Sequence, residues 1–410
     1  METENVFNQY DRLLMLLLFG LVSGLQGNVL TEFSHIIAFA FTPWVLKCLS
    51  SGTVIIKNTM IWFVVLIIYS ALSLSWTPQL SYGVTFFSRL VVHLLICLEI
   101  ILFAQKAESP FHAIAYGWVL AFALTSVMAL WEIMTDQHYF TIAHEEVEYL
   151  SNRAGEQLEK HVAAVTFHNP NTYSLFAVSV LPFLLYLILQ MKKGIKLLME
   201  ILLLLVLVYI VFMNSSRGCF LCLAVVFFVF FVFQFRKSDR KTKKRLKWMI
   251  FFIVVFLIVF GPTLFQAILF RAEGGAMFED NSRMKLWAFT WQKFLESYGM
   301  GMGIGSMKPV MATFQGFWTS TIVYSHNMVL ELLLEGGILF GFFFISYLFS
   351  IIKSIKTLDT IPKKIVIYSV LFSLPFYTIV NSSYTAPTFI WCYFASIYAF
   401  CLPVESPIDE

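Results

Sequence analysis

The stretch Asn214–Cys222, NSSRGCFLC, sets one arginine among a few polar residues between two long apolar runs. Ser215 or Ser216 can cap the helix that follows. The free N–H groups of that helix start, with the guanidinium of Arg217 beside them, make an anion site well matched to phosphate. Snorkelling of Arg217 to lipid headgroups explains its position equally well. A second pattern is YSHNMVLELLLEGG at 324–337. Here Ser325 can cap a helix and leave His326 in its first turn. A positive helix end disfavours imidazolium, so His326 can stay neutral and take a proton from a hydroxyl. A histidine that merely bonds nearby backbone is the competing account.

Other polar groups stand near the ends of apolar runs. Glu331 and Glu335 lie further along the helix that follows His326 and Asn327, where carboxylates are costly and take functional or paired roles. Glu335 precedes Gly336–Gly337, so it equally suits a structural hydrogen bond where helices approach closely. Arg89 is either a second cation at the same site or a lipid anchor, with His93 one turn away on the same face. Glu99 lies deeper in that run, with no partner or role evident in the sequence. TFHNPNTYS at 166–174 reads as a defined turn with His168 and Asn169 as candidate sugar contacts, or as a plain loop.

These groups must be held by a membrane scaffold. The chain has 410 residues, is 59% hydrophobic and only 13% charged, and contains 44 Phe. That apolar excess needs lipid, whereas a soluble domain is about one quarter charged. Twelve apolar runs are long enough to be candidate spans, at 12–30, 33–50, 59–76, 83–105, 113–134, 173–191, 197–213, 219–235, 248–270, 326–350, 365–382 and 386–403. No 20–50-residue repeat or linker divides the chain, so residues 1–410 read as one all-α polytopic membrane domain. The N-terminus lacks the pattern of a cleaved signal peptide, so the first run is expected to remain.

Lysine and arginine set the orientation. With twelve spans, the linkers at 192–196, 236–247 and 353–364 fall on one side together with Arg12, Lys47, Lys57 and Lys106. That places 19 of the 28 basic residues on the cytoplasmic side, with both termini inside. Two long segments, 135–172 and 271–325, then lie outside and are expected to carry function. In the second, Trp287, Trp291, Phe294 and Leu295 recur at helical spacing, with Lys285 and Lys293 off the stripe, which suits a helix lying in the interface. Ser282 can cap it, leaving Arg283 in the first turn. The following YGMGMGIGSMKP reads as a flexible connection. The six cysteines lie in or beside apolar runs and read as small buried hydrophobes, the C-x-x-C pair Cys219 and Cys222 included. No P-loop, G-x-G-x-x-G, H-E-x-x-H or outer D-x-D pair is present, so neither cytoplasmic nucleotide-sugar chemistry nor a metal site is expected. Nothing suggests nucleic-acid binding.

SSRG opening a span, Arg283-x-x-x-Trp287 followed by GMGIG, and His326-Asn327-x-x-L-x-x-x-x-Glu335-x-G, in that order, resemble the O-antigen ligase and polymerase superfamily. The resemblance covers about 165–345; the first four spans match only in general topology. It implies a membrane-glycosyltransferase-like fold in the bacterial inner membrane with the site facing the periplasm. It also implies inverting, metal-independent transfer from a polyprenyl-pyrophosphate-linked glycan to a glycan or lipid A-core acceptor, with no cofactor. Carried over, Arg217 and Arg283 hold the pyrophosphate, Arg89 matches a further family arginine only poorly, and His326 is the base. Ser216, Asn327, Glu335, His168 and Asn169 are supporting positions. A ligase and a repeat-unit polymerase use the same site. A lipid-linked glycan flippase is the alternative of another class, though flippases usually show inverted repeats.

Overall fold

The computed structural model describes residues 7–23, 33–50, 57–139, 161–167, 169–191, 194–237, 276–314, 324–380, 383–385 and 387–402. The described residues form thirteen α-helices: α1 Gln9–Val22, α2 Phe33–Ser50, α3 Lys57–Ser73, α4 Leu80–Lys106, α5 Pro110–Thr135, α6 Pro170–Gln190, α7 Ile195–Met213, α8 Arg217–Lys237, α9 Ala276–Glu296, α10 Met307–Met311, α11 Met328–Ser354, α12 Ile361–Tyr377 and α13 Thr388–Cys401. Six are long and apolar enough to cross a membrane: α4, α5, α6, α7, α8 and the helix from Met328 that continues to Thr357. Shorter helices stand at five other expected spans, three of them apolar (α2, α3 and α13), and the expected span 248–270 lies outside the described residues. The protein is a polytopic helical membrane protein.

α6 is buried on nearly every face, as an interior helix of a bundle must be. Trp118 of α5 stacks on Phe183 of α6 with centroids 5.4 Å apart and donates its indole N–H to Ser396 Oγ of α13 at 3.0 Å. α7 and the outer stripe of α11 (Ile338, Phe342, Ile345, Phe349) instead expose large apolar side chains, which suits lipid contact.

Hydrogen bonds sort the helix ends into two groups. At the first end, Asn8 and Asp11 form a capping box on α1. The Asp11 carboxylate also accepts from Ser109 N–H at 2.9 Å, and Asn8 Nδ2 donates to Lys106 O at 3.0 Å. Thr59 meets Tyr398 there at 3.1 Å, and Lys363 lies 3.9 Å from the Phe111 ring centre. The opposite end gathers Thr166 on Ser23 O, His161 on Ile133 O, and the Arg217 turn. This grouping is the one that alternating spans require.

Candidate functional site

At that second end, Asn214 organises the turn before Arg217. Its Oδ1 accepts from Ala163 N–H at 2.7 Å, and its Nδ2 donates to Ala163 O, Pro170 O and Ser174 Oγ at 2.9, 3.1 and 3.0 Å. Ser215 adopts a left-handed φ of 53°, and the carbonyl of buried Ser216 accepts from Phe220 N–H to start α8. Arg217 is the first helical residue, two positions before the apolar run that begins at 219. Gly218 lies directly on Val380, so α8 starts against the end of α12. Met328 N–H donates to Thr378 O of that same α12 end at 2.9 Å. The Arg217 turn and the start of α11 therefore share one support.

The His326 turn differs from the expected cap. Asn327, not Ser325, caps α11: its Oδ1 accepts from Val329 and Leu330 N–H at 3.1 and 3.2 Å. Ser325 is instead drawn to Glu331 Oε1, to which its N–H and O–H donate at 3.1 and 3.2 Å. The same carboxylate takes the backbone N–H of His326. Held from both sides, His326 sits just before the helix with a φ of 55°, a conformation that non-glycine residues adopt only when their surroundings impose it. Its ring makes no hydrogen bond to another described residue. Burial, assisted by the positive charge of Arg283, depresses its pKa to about 4, so the imidazole is neutral at pH 7.

Arg283 is placed by a helix that begins earlier than expected. α9 starts at Ala276, so Ser282 is internal and does not cap it. Leu286, Thr290 and Phe294 are buried within the protein, and Leu286 packs on Met307, Val310, Met311 and Leu334. Trp291 and Leu295 are 45% and 56% exposed. α9 thus packs on α10 and α11 with one face and presents apolar side chains on another. Trp287, one turn from Arg283, donates Nε1–H to Ser325 O at 3.0 Å and ties the arginine's helix to the His326 turn.

The glycine-rich segment is pinned, contrary to the flexible connection expected. Gly301 has a φ of 82°, and a Cβ there would lie 2.6 Å from Gly337 N and 2.8 Å from Glu335 O. Gly337 itself has a φ of 63° and breaks the helical path of α11. Into this gap the loop sends Met302 N–H to Leu334 O at 2.6 Å and receives Ile338 N–H on Gly299 O at 2.8 Å. Its other side is held by α3 and the following turn: Ile304 N–H on Ser73 Oγ, Thr77 Oγ1–H on Ile304 O, Trp76 Nε1–H on Gly301 O and Tyr69 O–H on Met300 O. Glu335 completes the clamp, accepting from Met307 N–H at 3.2 Å and Tyr384 O–H at 2.7 Å. Of the two readings of Glu335, the hydrogen-bonding one describes its contacts.

Arg89 reaches the same neighbourhood. Its charge acts on Tyr324, whose hydroxyl bonds Ser383 and whose pKa burial pushes up to about 12. His93 does not follow Arg89 into the site: it is buried, stacks on Trp391 at 5.4 Å and lies 3.4 Å from Thr388 Oγ1. Asn169 caps α6, accepting from Thr172 N–H at 2.8 Å, and His168 lies outside the described residues. Glu99 is fully buried with no hydrogen-bond partner among the described residues. All six cysteines are buried thiols, none of them in a disulfide. Sequence reasoning singled out neither Lys308 nor Tyr324, although Tyr324 opens the motif that carries His326. Lys308 Nζ lies 5.8 Å from the Tyr324 ring centre and 5.6 Å from that of Tyr82.

The fold and this site define a polytopic membrane protein with arginines and a neutral histidine at one end of its helix bundle. Residues 201–345 match the O-antigen ligase family (Wzy_C). That stretch contains Arg217, Arg283, His326 and Glu335, and not Arg89. Over 292 residues the chain is 22% identical to the teichuronic acid biosynthesis protein TuaE of Bacillus subtilis (strain 168), covering 69% of this chain and 57% of that protein. It thus spans little more than half the length of that relative.

Proposed function

We propose that this protein transfers a glycan from a polyprenyl pyrophosphate to a sugar hydroxyl at the outer face of the bacterial cytoplasmic membrane. On this reading the chain crosses twelve times in a membrane-glycosyltransferase-like fold, with both termini inside and the His326 end outside. The carrying observation is the neutral, partly buried His326 beside Arg283, at the bundle end that also holds Arg217 and Arg89.

The imidazole takes the acceptor hydroxyl's proton as that oxygen attacks the anomeric carbon. The bond from that carbon to the pyrophosphate oxygen breaks with inversion, and the electron pair leaves with the pyrophosphate. Arg217 and Arg283, with Arg89, neutralise the charge growing there, each correctly aimed contact contributing about 2–4 kcal/mol. So good a leaving group needs no strong general acid. A cavity of about 320 Å³ opens beside Met328 and Tyr384 and extends to Thr59 and Tyr398 at the other end of the bundle. Its lining is largely apolar and suits an isoprenoid chain.

In a ligase the acceptor is a lipid A-core sugar. In a polymerase it is the next lipid-linked repeat unit; the similarity to a teichuronic acid biosynthesis protein supports a role in surface-polysaccharide biosynthesis under either reading. The test is transfer in vitro with the purified full chain, a lipid-pyrophosphate glycan and each acceptor in turn. Arg217→Ala, Arg283→Ala and His326→Ala are each expected to abolish transfer while the protein remains in the membrane, and EDTA to have no effect. Transbilayer movement of the lipid-linked glycan without new glycosidic bonds would replace this reading with the flippase.

A further inference from the structure

The site holds more positive charge than a departing pyrophosphate requires. Arg217, Arg283 and Arg89 already match it, and Lys308 is a fourth cation on a separate element, α10. Among the described residues Lys308 has no carboxylate within ion-pair distance; its ammonium lies between two tyrosine rings, 5.6 Å from Tyr82 and 5.8 Å from Tyr324. Such a contact leaves N–H donors for a ligand.

The arrangement is built rather than incidental. Gly305 lies so close to Tyr82 that a Cβ would sit 2.7 Å from its carbonyl, which joins the Lys308 loop to the start of α4. The Glu335–Met307 bond fixes the residue before Lys308. Tyr324 precedes Ser325, which Glu331 and Trp287 hold. An ammonium held beside two tyrosines suits a sugar that bears a negative charge, because it can meet the acid group with charge-assisted hydrogen bonds.

We propose that Lys308, Tyr82 and Tyr324 form a saccharide subsite that takes the carboxylate of an acidic sugar in the acceptor glycan. This rests on the transfer reaction proposed above and specifies its substrate class. Lys308 is a specificity-determining residue, distinct from the arginines on the pyrophosphate.

Binding tests it without catalysis. The purified full chain in detergent is titrated with a galacturonic acid trisaccharide, with its carboxyl-reduced neutral counterpart, and with inorganic pyrophosphate, followed by ligand-observed NMR. The acidic trisaccharide is expected to bind about tenfold more tightly than the neutral one. Lys308→Met should remove that preference, Lys308→Arg should keep most of it, and pyrophosphate affinity should change in neither. The titrations involve no transfer, so failed transfer leaves this inference intact. Equal binding of the two trisaccharides by the wild-type chain would overturn it. So would a loss of pyrophosphate affinity in Lys308→Met, which would move the lysine to the leaving group. In a transfer assay Lys308→Met should raise KM for an acidic acceptor and leave KM for the donor unchanged.

Discussion

Replacing Gly301 by alanine tests whether the glycine-rich loop is a rigid strut of the site. The new methyl would start 2.6 Å from Gly337 N and 2.8 Å from Glu335 O, both backbone atoms. Ordinary contact begins near 3.4 Å, so the loop and the break in α11 must part by about 0.8 Å. A left-handed backbone adds about 1–2 kcal/mol for a residue with a Cβ. The separation also weakens Met302 N–H to Leu334 O and Ile338 N–H to Gly299 O, each worth about 0.5–1.5 kcal/mol net. The sum, about 2–5 kcal/mol, exceeds most surface substitutions, and it slackens the Glu335–Met307 clamp that positions Lys308. Gly194→Ala is the control: φ there is also positive, at 142°, but nothing lies within 4 Å. Thermal unfolding of the purified protein should show Gly301→Ala melting well below Gly194→Ala, with transfer lost only in the former. A mobile linker would absorb the methyl, so wild-type melting and transfer in Gly301→Ala would refute the strut.

Several further outcomes follow from the same contacts. Trp287→Phe removes the indole N–H from Ser325 O, which should cost about 0.5–1.5 kcal/mol in unfolding experiments and lower kcat by loosening Arg283 against His326. Because His326 titrates near 4 when folded and near its ordinary value when unfolded, the unfolded chain binds the extra proton between these values. Stability should therefore fall as pH drops through about 6.5 and level off below about 4, and His326→Gln should flatten that stretch of the melting profile. The wild-type kcat/KM should be flat near neutrality and fall only as pH approaches 4. Asn214→Ala strands the backbone groups of Ala163 and Pro170 at the Arg217 turn, with an expected loss of about 1–3 kcal/mol in chemical denaturation. For sidedness, a cysteine at Tyr298, which is 95% exposed, should react with an impermeant maleimide in intact cells, and one at Lys356 only after permeabilisation. The reverse pattern would turn the site toward the cytoplasm.

Much of this protein is written locally. Apolar length and the lysine- and arginine-rich linkers specify a bundle of membrane helices, because lipid forces each span to satisfy its own backbone. Arg217, at the first position of α8, lies two positions before one such apolar run. Short-range pattern went wrong where tertiary contacts compete for the same groups. Ser325 has the chemistry of a cap, but the buried Glu331 carboxylate claims its N–H and hydroxyl and leaves capping to Asn327. YGMGMGIGSMKP has the composition of a flexible linker, yet its glycines are there because α3 and the broken α11 approach too closely for any side chain. Lys308, Tyr82 and Tyr324 are separated by long stretches of sequence, and no spacing rule links them. Only the packing of α10 against α4 and α11 brings their charge and rings together, since contacts between distant residues depend on how whole helices dock rather than on the period of any one of them.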